Sequence, residues 1–191
     1  MIAFAGLGNP GTIYKLNRHN VGFMVIDYAK EYLKIEKTDV INKAMIMKAL
    51  VNDKYIYLVK PLSYINNSGQ ALFNLSSLYT IKPNDIIIIH DDIYLPLGKI
   101  KIKLKGGDGG HKGVESIIRS FGTNEIPRIK IGIKGEENIQ SSNYAEYVLS
   151  NFSNDELGIL EEVIDRAYKA MISIINEGIN NSINKFNRRK Q

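Results

Sequence analysis

The sequence has no cysteine and no tryptophan. Without a thiol there is no disulfide framework, no thiolate zinc site, no iron–sulfur cluster and no cysteine nucleophile. Long apolar runs are missing too: nothing approaches the roughly 18 to 20 consecutive apolar residues of a membrane helix. The opening Met1-Ile2-Ala3-Phe4-Ala5-Gly6 has no basic start and breaks too soon to read as a signal peptide. The expectation is a cytoplasmic protein with no membrane contact. No repeat or low-complexity linker is visible, so the 191 residues read as one domain, 1–191. What is present is ordinary for a packed globule, 44% hydrophobic and 24% charged. Twenty-five Lys and Arg against 20 Asp and Glu give +5, which permits an anionic partner without establishing one.

Apolar patterning supplies the framework. Ile2–Ala5 reads as a short buried strand stopped by Gly6. Asn20 can cap a helix running to about Leu33. Ala44–Val51 and Tyr55–Lys60 read as strands around the Asn52-Asp53 turn. Asn66 or Asn67 can start a helix to about Tyr79, before Pro83. Ile86–Ile89 suits a central strand covered on both faces. Ile100–Leu104 alternates apolar residues with lysines. A flexible Gly106–Gly110 loop leads to a helix over Val114–Phe121, and Arg128–Ile133 is another strand. Ser153-Asn154-Asp155-Glu156 is a capping-box pattern opening a long helix that Gly178 can end. Residues 187–191, with Arg188, Arg189 and Lys190, read as a mobile basic tail. Alternating strands and helices predict an α/β fold: a three-layer sandwich whose central, mixed and mostly parallel twisted sheet is flanked by helices. Such sheets bind ligands at the carboxyl ends of their strands.

Several polar groups fall at those ends. Gly6-Leu7-Gly8-Asn9-Pro10-Gly11 matches the dinucleotide pattern G-x-G-x-x-G literally. That pattern needs a helix opening at its third glycine, whereas Pro10-Gly11-Thr12 favours a turn. The turn presents Asn9. His19, just before a helix, sits at the positive end of the dipole, which favours the neutral imidazole that a general base requires; the bland alternative is a surface His beside an Asn cap. His90-Asp91-Asp92 ends the isoleucine strand. One carboxylate there can orient an imidazole while its neighbour points to the other face. His90, Asp91, Asp92 and His111 could also ligate a metal, but no H-x-x-x-H or D-x-D spacing supports it. Asn66 offers a donor and an acceptor suited to a substrate amide or ester carbonyl, or a helix cap. Ser63 and Ser68 are outside G-x-S-x-G. Lys99, Lys101, Lys103 and Lys105 would line one strand face about 6.7 Å apart, a pitch that can follow a phosphate backbone or merely solubilise an edge. Arg128 and Lys130 add charge nearby. These residues converge on metal-independent hydrolysis of a nucleic-acid-linked substrate.

The same residues resemble the bacterial-type peptidyl-tRNA hydrolases. Gly6-Leu7-Gly8-Asn9-Pro10-Gly11 with Tyr14, Arg18-His19-Asn20 and Gly22-Phe23 are similar to the N-terminal signature. Lys60-Pro61 with Asn66, Ser68 and Gly69, then His90-Asp91-Asp92, Gly109-Gly110-His111, Gly113, Arg128 and Asn184-Lys185-Phe186-Asn187, continue the match over nearly the whole chain. The resemblance implies cleavage of the ester between a peptide and the terminal ribose of tRNA, so that tRNAs that dropped off the ribosome can be recharged. It implies His19 as the base that activates water, Asp91 as its orienting partner, and Asn9 and Asn66 as positioning groups. Tyr14, Asn67, His111 and Lys112 are expected to bind substrate, and Lys103, Lys105, Arg128 and Lys130 to face tRNA. No metal or cofactor is expected, and a monomer is. A non-catalytic RNA-binding member is the alternative. Lys112 replaces a usual Asn, Asn17 a usual Thr and Tyr94 a usual Asp.

Overall fold

A computed structural model describes residues 1–135 and 140–188. Its frame is one seven-stranded sheet. The strands are β1 (Ile2–Gly6), β2 (Lys34–Ile41), β3 (Ala44–Val51), β4 (Lys54–Pro61), β5 (Ile86–Pro96), β6 (Ile100–Lys103) and β7 (Arg128–Lys134). Their spatial order is β2-β3-β4-β1-β5-β7-β6. The middle strands β4, β1, β5 and β7 pair in parallel, while β2 with β3, β3 with β4, and β6 with β7 are antiparallel. The helices are α1 (Val21–Tyr32), α2 (Ser68–Tyr79), α3 (Lys112–Phe121), α4 (Tyr144–Leu149), α5 (Asn154–Glu177) and α6 (Ile179–Phe186).

Alternation along the buried strands builds two cores. Phe4, Ile87, Ile89, Ile129 and Ile131 point to the layer containing α1 and α5. Ala3, Ala5, Ile86 and Ile88 point to α2 and α3. The isoleucines of β5 therefore serve both faces, as a central parallel strand must. Gly22 lets α1 cross β1 and β5 closely: a Cβ there would lie 2.3 Å from the Ile89 carbonyl oxygen and 2.5 Å from the Leu7 nitrogen.

Four local outcomes differ from the sequence reading. Strand β2 was not expected. It is an edge strand, mostly exposed, and a register shift between Ile35 and Lys37 breaks its alternation. Helices α4 and α6 were not expected either; α4 is short and carries no fully buried residue. Asn20 does not cap α1 with its side chain. Lastly, Asn187 is not part of a mobile tail: its amide donates to the Ile102 carbonyl and accepts from the Ile102 N–H, both at 2.8 Å. Residues 189–191 of the expected tail lie outside the described residues.

Candidate active site

The turn after β1 is fixed by a side chain that the sequence assigned to capping. Asn20 brackets the Asn9 backbone, donating Nδ2 to its carbonyl and accepting its N–H on Oδ1, each at 2.9 Å. The Asn9 side-chain oxygen accepts the Ile65 N–H at 2.9 Å. Its Nδ2 group is thereby turned to donate. The absence of a helix opening at Gly11, where φ is 113°, removes the dinucleotide reading: the next α-helix begins at Val21.

His19 sits on a 3-10 turn, Arg18–Asn20, beside the carboxyl end of β5. Arg18 anchors this turn from beneath. Its guanidinium bonds both carboxylate oxygens of Glu156, at 2.9 and 2.7 Å, and packs 4.4 Å from the Tyr147 ring. Glu156 also accepts the Ser153 N–H at 2.8 Å, so the capping box that opens α5 holds the His19 turn as well.

Asp91 joins two imidazoles. His19 Nδ1 lies 2.8 Å from Asp91 Oδ1, and His111 Nε2 lies 2.9 Å from the same oxygen. All three residues are buried. His111 caps α3 through its other nitrogen: Nδ1 accepts the Gly113 and Val114 N–H groups at 3.1 and 3.3 Å. That fixes the tautomer, because an Nδ1 that accepts leaves the proton on Nε2, aimed at Asp91. His111 is thus taken up at both nitrogens. His90 Nδ1 donates to the Asp91 carbonyl at 2.6 Å and steadies the strand end; its Nε2 is buried without a partner.

The electrostatics follow. Burial opposes a charged His19, but the charge and hydrogen bond of Asp91 outweigh it and raise the His19 pKa above the ordinary imidazole value. The helix dipole considered from sequence is therefore not the deciding influence. Burial would raise Asp91, yet His19 and His111 together hold its carboxyl well below the usual range. Burial, reinforced by His111, keeps His90 neutral with its pKa well below the ordinary value.

These groups open on a cavity of 690 Å³. Asn9, His19, Asn66, Asp91, Lys112 and Lys130 all line it, as do Asn67 and His111. Asn66 and Asn67 are exposed, and Asn67 makes no side-chain cap for α2, so the helix-cap alternative does not occupy it. Ser68 is fully buried and donates to the Ile65 carbonyl at 2.8 Å, which removes it as a nucleophile. Tyr14 is on the 3-10 turn Thr12–Tyr14 and is not among the residues lining the cavity.

The basic residues divide. Lys103 and Lys105 are exposed, Lys105 paired with Glu125 at 3.2 Å. On β6, Lys103 is opposite Arg128 and Lys101 opposite Lys130. Arg128, however, is only 2% exposed and donates at 2.9 Å to the carbonyls of both Gly106 and Gly107. The expected direct tRNA contact by Arg128 is corrected: its planar fork is spent on the glycine loop. Lys130 is paired with Asp92 at 2.5 Å.

One ligand atom each from His19, Asp91 and His111 lies within 4.8 Å of the others, the one such cluster among the described residues. Its donor chemistry does not suit a cation. The atom of His111 that would have to ligate carries the ring proton, held there by two backbone donors on the opposite nitrogen.

The sequence matches the peptidyl-tRNA hydrolase family over residues 3–191. It is 45% identical to the peptidyl-tRNA hydrolase of Thermodesulfovibrio yellowstonii, covering 98% of this chain and 100% of that one. It is 40% identical to that of Bacillus subtilis, covering 98% of each. The crystal structure of the Acinetobacter baumannii peptidyl-tRNA hydrolase superposes with a TM-score of 0.91 at 28% identity, over 100% of this chain and 96% of that one. With a sheet of the same architecture and a match that spans the chain, the protein belongs to the peptidyl-tRNA hydrolase family.

Proposed function

We propose that His19 activates the water that cleaves peptidyl-tRNA, with Asp91 as its orienting partner. The observation that carries this is the 2.8 Å approach of His19 Nδ1 to Asp91 Oδ1. A carboxylate on Nδ1 holds that proton and leaves the Nε2 lone pair as the base. Nε2 takes a proton from water as the oxygen attacks the ester carbonyl. The imidazolium that forms faces the Asp91 charge. The Asn9 amide, with its oxygen engaged by Ile65, and the exposed Asn66 amide are suited to donate to the developing oxyanion. As the tetrahedral intermediate breaks its bond to the ribose oxygen, His19 returns the proton there. The products are a peptide carboxylic acid and a tRNA with a free terminal ribose hydroxyl.

No step needs a metal, which agrees with the proton held on His111 Nε2. The edge lysines Lys101 and Lys103 support a tRNA approach along β6 towards the cavity. No described helix is long and apolar enough to cross a membrane, and the proposed setting is the cytoplasm, with the chain acting as a monomer. Single-turnover hydrolysis of N-acetyl-phenylalanyl-tRNA tests the reading. His19→Ala should lose about 10² to 10⁴ in rate while still binding tRNA, and wild-type cleavage should persist in excess chelator. An unimpaired variant would remove His19 as the base, and binding without cleavage by the wild type would favour a non-catalytic RNA-binding protein.

A further inference from the structure

The cavity has a wall that the proposed chemistry does not use. Beyond Asp92 the pairing of β5 with β7 slips, resuming only at Pro96 opposite Lys134. In that irregular stretch Asp92 Oδ1 accepts the Tyr94 N–H at 2.9 Å, while Asp92 Oδ2 meets Lys130. The turn is thus held from two sides, and it presents a tyrosine that is 64% exposed. The Tyr94 ring packs edge-on against Tyr144 of α4, with centroids 5.8 Å apart. From there Ile93, Val148 and Leu149 continue an apolar strip. The strip ends beside the catalytic turn, because the Leu149 carbonyl accepts a hydrogen bond from Asn17 and the Ser150 carbonyl accepts the Arg18 N–H.

We propose that this strip is a subsite for the peptide's ester-linked residue, with a preference for an apolar or aromatic side chain. The inference rests on the hydrolase reading. An ester held at His19 sends the peptide one way and the tRNA the other, and the two need different surfaces. A nucleotide brings its phosphate with it. Among the described residues the two lysines lining the cavity are already met by carboxylates, Lys130 by Asp92 and Lys112 by Glu115. The Tyr94–Tyr144 side therefore offers a phosphate no unpaired lysine, but it offers an uncharged side chain two ring surfaces and an aliphatic floor. The open lysines of β6 lie on the sheet edge instead, where the tRNA would run.

The test uses one tRNA charged with either N-acetyl-phenylalanine or N-acetyl-glycine. The wild type should show a kcat/KM about tenfold higher for the phenylalanine ester. Tyr94→Ser with Tyr144→Ser should bring that ratio to within about twofold of unity. Both tyrosines are surface side chains, and thermal unfolding of the double variant checks that it remains folded. A third substrate, with the terminal adenosine replaced by cytidine, separates the peptide from the base. The double variant should respond to that change as the wild type does. A wild-type ratio near one, a ratio that survives in the double variant, or a loss of base discrimination instead of side-chain discrimination would each overturn the subsite. A wild type that cleaves both esters at equal rates removes the subsite alone. One that cleaves neither removes the hydrolase reading and the subsite together.

Discussion

Asp91 Oδ1 accepts from two imidazoles at once, and this divides a single negative charge. His111 cannot turn away, because α3 uses its Nδ1 as a cap. The His19 pKa remains raised by what Asp91 supplies. With the neutral imidazole as the proposed base, activity should rise with pH through a value above the ordinary imidazole one. Asp91→Asn removes the charge while keeping an oxygen. The acid limb of the kcat/KM profile should then move to lower pH, since burial now acts unopposed, and the plateau should fall by about 10² or more. An acid limb that stays in place would detach Asp91 from His19. The stability effect has its own sign. A raised folded pKa stabilises below the unfolded value, so the His19–Asp91 contribution is lost as pH rises through the folded His19 value. At this scale the placement of side chains was legible where a residue type has few uses. His19, Asp91, Asn9 and Asn66 meet in one cavity. It was less legible where a side chain serves the chain itself: the fork of Arg128 and Nδ1 of His111 satisfy backbone groups, which spacing alone does not reveal.

The glycine loop between β6 and α3 depends on that fork. Gly109 and Gly110 adopt φ of 63° and 81°, a region costly for other residues, and both line the cavity. Arg128 grips the loop one step earlier, at Gly106 and Gly107. Arg128→Lys keeps the charge and loses the two-pronged grip. The expected result is faster amide hydrogen exchange across 106–110 and a lower kcat, with the salt dependence of tRNA binding unchanged. A salt slope reduced by about one would instead mark Arg128 as a phosphate contact. Among elements, those with a strong local signal were legible: β5 from its unbroken isoleucine run and α5 from its capping box. Strand β2 was not, because it buries little and its register shifts. Helix α4 was not, because six residues with no fully buried position carry no periodic signal.

Across the molecule, positive charge outlines a route. Lys101 and Lys103 stand on the outer strand, opposite Lys130 and Arg128. Reversing Lys103 and Lys105 to Glu should raise the KM for peptidyl-tRNA and flatten its salt dependence; an unchanged slope would make that edge solubilising only. The other global link is the Arg18–Glu156 pair, both side chains largely buried. Glu156→Ala strands a guanidinium and removes the Glu156 half of the α5 capping box, and should cost about 3 kcal/mol in denaturant unfolding. A cost within the ordinary surface range would mean Arg18 finds water.

That pair also imposes an order in time. Arg18 bonds across 138 positions of chain to Glu156, and Asn17 bridges to Asn151. The segment bearing His19 leaves the ribosome early, and although Asn9 and then Asp91 can meet it, the Arg18 side of the turn has no carboxylate partner until the start of α5 has followed it out. An enzyme whose substrate is made by translation thus has a His19 turn whose full set of contacts closes on its own nascent chain only after most of that chain has emerged.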